Sequence, residues 1–322
     1  MNIKKLALSP LGGPISAIIA VICFSLNDTC IKFISGEYAL HQIVFIRSII
    51  GLGLLLGFLV TFSGGFSSLR TQRLGLHLLR GLCVVFANLC FFLGLASLQL
   101  ADGVAIFFIS PLLITVFSVL FLKETVGIHR WSAIFAGLIG VIIMLRPGTS
   151  AFQLASFLPL AAAFGYASLH MLTRYIGKTE SALTMSFYIQ VTFFVVSCFF
   201  GVATGSGQFA GNKDPSLEFL LRAWVLPSSE DYLFFLLIGF ASAFGGFLIS
   251  YAYRNSEAGF IAPFEYFAMP LAVFWGYIVF AHWPELLSFL GMTLIISSGL
   301  YLIWREIGAK SSSVQDTPRY RR

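Results

Sequence analysis

Ten separate stretches of this chain are apolar over roughly the length a helix needs to cross the ~30 Å hydrocarbon core of a bilayer. They fall at residues 15–35, 40–63, 74–98, 103–122, 131–145, 152–176, 182–204, 232–253, 258–281 and 285–304. Lipid offers a backbone amide no partner, so each stretch must bond to itself as a helix. The expected fold class is therefore an all-α polytopic membrane protein with ten transmembrane helices.

Composition agrees: 58% of the residues are hydrophobic and 11% are charged, against roughly 25% charged in a soluble domain. A net charge of +6 could suit nucleic acid, but the basic residues are scattered over short loops and the tail, so no nucleic-acid partner is expected. Their distribution bears on orientation instead. With both termini in the cytoplasm, the inner side holds Lys4, Lys5, Arg70, Arg73, Arg130, Arg174, Lys178 and Arg254, while the outer side holds only Arg146, Lys213 and Arg222. Positive charge is retained in short cytoplasmic loops, which predicts a multi-pass protein of the cell inner membrane with both ends inside. Lys4 and Lys5 ahead of an apolar stretch have the outline of a secretory signal, but no cleavage site follows, so the stretch reads as an uncleaved first span. The five cysteines, Cys23, Cys30, Cys83, Cys90 and Cys198, lie within spans without a CxxC or Cys/His cluster, and neither disulfide nor metal is expected.

The chain repeats itself. Residues 98–147 read LQLADGVAIFFISPLLITVFSVLFLKETVGIHRWSAIFAGLIGVIIMLRP, and 255–305 read NSEAGFIAPFEYFAMPLAVFWGYIVFAHWPELLSFLGMTLIISSGLYLIWR. Each has small residues at its start, a mid-span proline (Pro111, Pro270), a polar turn, glycines and a closing arginine. The first span of each half also matches, with Asp28 against His170 and Lys32 against Arg174. Five helices per copy is an odd number, so the second copy runs inverted, an arrangement that places substrate near mid-membrane in secondary transporters. The expected organisation is residues 1–148 as the first repeat, 149–308 as the second, and 309–322 as a basic cytoplasmic tail, disordered and close to anionic lipid. Within the second repeat, 205–230 is an outer loop whose residues 219–226 are expected as a short amphipathic helix on the membrane surface.

Charge within a span costs at least a few kcal/mol unless it is paired or faces water, so these residues are the sharpest functional signal. Counting at 1.5 Å per residue places Asp28 and Arg47 at one depth, about 10 Å from the outer boundary, and the short turn joining their helices as a hairpin brings Lys32 into one charged cluster with them. The same count from the inside groups His170, Tyr188 and Glu265. Asn88 and Gln190 are polar wall candidates, and Phe107, Tyr166 and Tyr266 are aromatic candidates in spans that carry a proline or a polar group. Pro111 and Pro270 break the backbone ladder and are candidate gates. Arg80, near a span end, has the position of a snorkelling residue. P-loop, HExxH and GxSxG motifs are lacking, so neither catalysis nor a cofactor is expected.

The five-helix duplication, with FISPLLITVFSVLFLKETVGIHRW at 108–131 and GLIGVIIMLRPG at 137–148, resembles the EamA family of the drug/metabolite transporter superfamily. The second copy departs from the pattern, with Ala281-His282 where an acidic turn is common. Asp28, Lys32, Arg47 and Arg80 together resemble a bacterial branch that includes S-adenosylmethionine uptake transporters. The expected function is secondary transport of a small polar or zwitterionic metabolite, amino-acid-like or S-adenosylmethionine-like, by alternating access. Its partners would be that substrate, membrane lipid and a proton as coupling ion; direction, substrate identity and oligomeric state stay open. The alternatives are a metabolite or drug exporter of the same family, a non-transporting scaffold, or an intramembrane enzyme.

Overall fold

A computed structural model describes residues 12–62, 69–123, 127–145 and 153–315. Among them every regular element is helical. Helices α1 (Gly12–Ile34), α2 (Leu40–Phe62) and α3 (Leu74–Ser97) are followed by α4 (Leu100–Phe107), α5 (Ser110–Leu122) and α6 (Ile128–Leu145). A 3₁₀ turn (Leu154–Ser156) then leads into α7 (Phe157–Ile176), followed by α8 (Ala182–Thr204), the short α9 (Pro215–Leu221) and α10 (Tyr232–Asn255). The last part comprises α11 (Ala258–Ile261), a 3₁₀ segment (Ala262–Phe267), α12 (Ala268–Phe280) and α13 (Leu286–Gln315). Seven stretches are long and apolar enough to cross a membrane, and three shorter apolar helices accompany them. Large side chains on their flanks point outward, with Leu82 54% and Val202 91% exposed, an apolar belt that water would not tolerate and lipid does.

Two of the expected continuous spans are interrupted. The fourth begins at Leu100 and breaks between α4 and α5, just ahead of Pro111. The ninth becomes α11, the 3₁₀ segment and α12, with Pro270 at the third position of α12. Proline lacks the N–H that would continue the ladder, and its ring crowds the carbonyl four residues back, so each helix restarts at the proline. The two distal pieces match each other: α5 and α12 are both 13 residues long, and each ends on a non-glycine residue in the left-handed region, Lys123 at φ 56° and Ala281 at φ 53°.

Packing between the halves is reciprocal. Helix α1 lies along α10 and α3 along α7; α2 meets both α8 and α10, while α8 meets both α2 and α3. The pair α6 and α13 cross closely at Gly140 and Gly291, where a Cβ on either would strike the other's carbonyl.

Two expectations about extramembrane segments change. The helix in the long connection is α9, which lies earlier than 219–226 because Asp214 caps it, accepting from the N–H groups of Ser216 (2.9 Å) and Leu217 (3.0 Å), with Pro215 starting the first turn. Its Phe219 is buried in the main core, not laid on lipid. Helix α13 continues to Gln315, into the stretch expected as a disordered tail. Lys4, Lys5, Glu124, Arg146 and the tail from residue 316 lie outside the described residues.

Candidate functional site

The helices enclose a central cavity of about 160 Å³. Among the described residues its lining comes from α1 to α4, α7, α8, α10, the 3₁₀ segment and α12, and none comes from α6 or α13. Of the residues singled out from sequence, Asp28, Arg47, Asn88, Phe107, Tyr166, His170, Gln190 and Glu265 line this one space. Asp28 and Arg47 of the outer cluster and His170 and Glu265 of the inner one, expected at separate depths, therefore line a single chamber.

Each charged group in it has a different environment. Arg47, 2% exposed, donates from Nη2 to Asn88 Oδ1 at 3.2 Å, and its guanidinium carbon sits 4.6 Å from the centre of the Phe193 ring. Its Nε has no partner among the described residues. Asp28 Oδ1 accepts from Asn27 Nδ2 at 2.9 Å, and among the described residues no ion pair joins Asp28 to Arg47. Glu265 is held by tyrosines instead: Tyr166 donates to Oε2 at 2.7 Å and Tyr253 donates to Oε1. Each oxygen thus has one of its two lone-pair sites engaged by a phenol, which fixes the carboxyl in place at the cavity wall. His170, 1% exposed, is wedged edge-on to Tyr166 and stacked on Tyr253 (ring centres 4.2 and 3.9 Å apart), and neither ring nitrogen has a partner among the described residues. Gln190 spends its amide N–H on Ser242 Oγ at 3.2 Å and leaves Oε1 unpartnered. Buried polar atoms are ordinarily satisfied, so open edges on Arg47, His170 and Gln190 facing one chamber make it the candidate binding site.

Three singled-out residues lie elsewhere. Lys32 is turned away by the end of α3: its ammonium donates to the carbonyls of Leu95 (2.6 Å) and Leu98 (2.8 Å) and lies 5.7 Å from the Phe280 ring centre. These carbonyls carry the negative end of the helix dipole and attract a cation. Tyr188 donates to Leu69 O at 3.1 Å and packs on His77, away from the cavity. Tyr266 is seated on Gly299, where a Cβ would fall inside its ring. Of the candidate gates, Pro111 is buried and Pro270 exposed, and neither lines the cavity.

Arg80 does line it, contrary to a snorkelling role. Its Nε donates to Thr173 Oγ1 (2.7 Å), Nη1 to Met185 O (2.7 Å) and Nη2 to Ser250 Oγ (2.9 Å), so one guanidinium ties α3 to α7, α8 and α10. Its rarity within a span was visible in the sequence, but its three neutral partners were not. Phe91 and Phe107 continue the ring series of Tyr166 and His170 as an aromatic wall, with 5.0 Å from Phe91 to Phe107 and 5.1 Å from Phe107 to Tyr166.

Residues 11–146 match the EamA-like transporter family. The EamA match covers α1 to α6 and their connections. Over nearly its whole length the chain is also similar to a riboflavin transporter of Vibrio cholerae, at 29% identity over 94% of this chain and 95% of that protein. It is 25% identical to an S-adenosylmethionine uptake transporter of Rickettsia prowazekii, over 92% and 93% respectively. A crystal structure at 15% identity superposes with a TM-score of 0.69, covering 93% of this chain and 99% of the other, a likeness of fold alone. The EamA match and the transporter relatives point to a membrane transporter rather than an enzyme.

Proposed function

We propose that the chain carries a small zwitterionic metabolite across the inner membrane by alternating access, with both termini in the cytoplasm and the central cavity as the binding site. The observation that carries this reading is the coexistence in one chamber of Arg47, with an open guanidinium edge, and Asp28, without an ion pair between them among the described residues. A substrate carboxylate would take the Arg47 fork and its cationic group would face Asp28, each replacing hydration lost on entry. Two inverted five-helix repeats are part of the proposal, supported by the reciprocal packing of α1 to α3 with α7 to α10 and by the matched ends of α5 and α12. Phe107, Tyr166, His170, Gln190 and Asn88 would complete the chamber, with Pro111 and Pro270 as hinges of the interrupted spans. Lys32, Tyr188 and Tyr266 would shape it indirectly, and Glu265 as a fixed part of its wall.

An S-adenosylmethionine-like molecule fits this charge pattern. A second reading, a flat flavin-like substrate without a carboxylate, is favoured by the aromatic wall from Phe91 through Phe107 to Tyr166. Thermal shift on purified protein separates the two, because a ligand that binds the folded state stabilises it by RT ln(1 + L/Kd), with L the free ligand concentration. The zwitterion reading expects S-adenosylmethionine to raise Tm, and Arg47→Lys to remove the shift. A shift with riboflavin alone, retained in Arg47→Lys, would replace it by the second reading, and no shift with either would remove both substrates. Proton coupling through Asp28 belongs to the proposal and predicts uptake into proteoliposomes driven by an imposed pH gradient. Uptake indifferent to that gradient would remove it.

A further inference from the structure

A second, small cavity of about 40 Å³ adjoins the central one and shares Asn88 and Phe193 with it. Its far end is lined by His41, Ser197, Phe200 and Leu220, beneath the connection between α8 and α10. We infer that the connection 205–231 is a lid closing an access path from its own membrane face into the central chamber, with the path running between α2, α3 and α8 and Phe193 as its inner partition. The inference rests on reading the central cavity as the substrate site.

The lid is fastened at several points to the elements that flank the path. The Trp224 indole N–H donates to His41 Nδ1, the indole packs on the His41 and Phe45 rings (centres 5.7 and 5.1 Å away), and it fills the space above Gly201 of α8. Gln42 and Val225 bond in both directions, side-chain N–H to backbone carbonyl and backbone N–H to side-chain oxygen. Arg222 donates to Ser35 O at 2.9 Å, and Tyr38 donates to Asp231 Oδ2 at 2.6 Å. Ser216 donates to Leu93 O at 2.7 Å, fixing α9 to α3. The first part of the lid is folded on Glu218, which accepts from the N–H groups of Asn212 (2.9 Å) and Gly211 (2.8 Å); these bonds hold its carboxyl below the usual carboxylate range.

Phe219 roots α9 in the core, and the remaining fastenings are hydrogen bonds and ring contacts at a boundary, the class of interaction that opens without unfolding the helices beneath. The partition has a different hold. Phe193 lies against the guanidinium of Arg47, and Asn88 accepts from it, so a substrate that engages Arg47 competes with both contacts and loosens the partition.

The test reads accessibility without any substrate, so failure of the central-site reading leaves it interpretable. In the full chain with its five cysteines replaced, Ser197→Cys places one thiol in the small cavity, and a membrane-impermeant methanethiosulfonate reagent is applied from either face. The expected result is slow modification from the 205–231 face only. It should become roughly tenfold faster with Trp224→Ala and about fivefold faster with Trp224→Phe or Gln42→Ala, since losing one side-chain bond shifts an opening equilibrium several-fold. A thiol at exposed Tyr175 (Tyr175→Cys) serves as reference and should not respond. Unchanged Ser197→Cys reactivity in the folded variants, modification from the opposite face, or equal acceleration at both thiols would overturn the lid.

Discussion

At the scale of single residues, the two buried guanidinium groups of the chamber are opposites. Arg80 gives each of its nitrogens to a neutral oxygen on a different helix, whereas Arg47 gives one bond to Asn88 and keeps Nε open. A lysine carries the charge but not the fork. Arg80→Lys leaves at least one of Thr173, Met185 and Ser250 without its donor and is expected to destabilise by about 1–3 kcal/mol, read as a lower Tm in detergent. Arg47→Lys should leave Tm nearly unchanged and lower uptake about tenfold or more, the loss expected of one charge-assisted bond to substrate. Glu265 offers a third contrast. In Glu265→Gln one of the two tyrosines meets an amide N–H where it had an acceptor, so a loss of about 1–3 kcal/mol in stability is expected, while Tyr166→Phe in the same background should recover part of it in thermal unfolding.

At the scale of elements, packing and hinge positions make separable predictions. Gly299 on α13 is the seat of the Tyr266 ring, and Gly299→Ala is expected to cost about 1–3 kcal/mol by overpacking with substrate affinity unchanged, measured by Tm and by ligand titration. Pro111 stands at the start of α5 directly after the break. Pro111→Ala restores an N–H that can bond to the Phe107 carbonyl and carry the helix through the break. The expected outcome is an uptake rate reduced several-fold with equilibrium binding retained; reduction of both in parallel would remove the hinge role. Sequence placed both prolines, yet the division of the ninth span into α11, a 3₁₀ segment and α12 depends on how residues 258–280 meet α1, α5 and α13.

At the scale of the whole molecule, α1 to α3 pack against α7, α8 and α10, and the chamber lies between these helices. The proposed orientation, with positive charge retained inside, expects a single reporter thiol at Lys213 to be labelled from the periplasmic side of intact cells and one at Lys178 only after permeabilisation. Labelling in the reverse sense would invert the protein and with it the face on which the lid acts.

Sequence alone determined the helical, membrane-embedded class, the approximate limits of most spans, and which residues were too polar for lipid to be there without cause. Those are properties of each residue against one solvent: a bilayer rejects an unsatisfied amide or a charge whatever its neighbours are, so length, apolarity and rarity are readable locally. The tertiary structure decided which polar group answers which. Depth counting and the hairpin turn put Asp28, Lys32 and Arg47 together, but the free carbonyls of Leu95 and Leu98 lie within reach of Lys32 and take it out of the chamber. Depth counting likewise paired His170 with Glu265, but the tyrosines that hold Glu265 come from α7 and α10, 99 residues before it and 12 before it. Trp224 finds its acceptor on His41, 183 residues away in sequence. A hydrogen bond is satisfied by any acceptor of suitable geometry, and periodicity cannot choose among acceptors on helices whose rotation and spacing are set only when the halves pack.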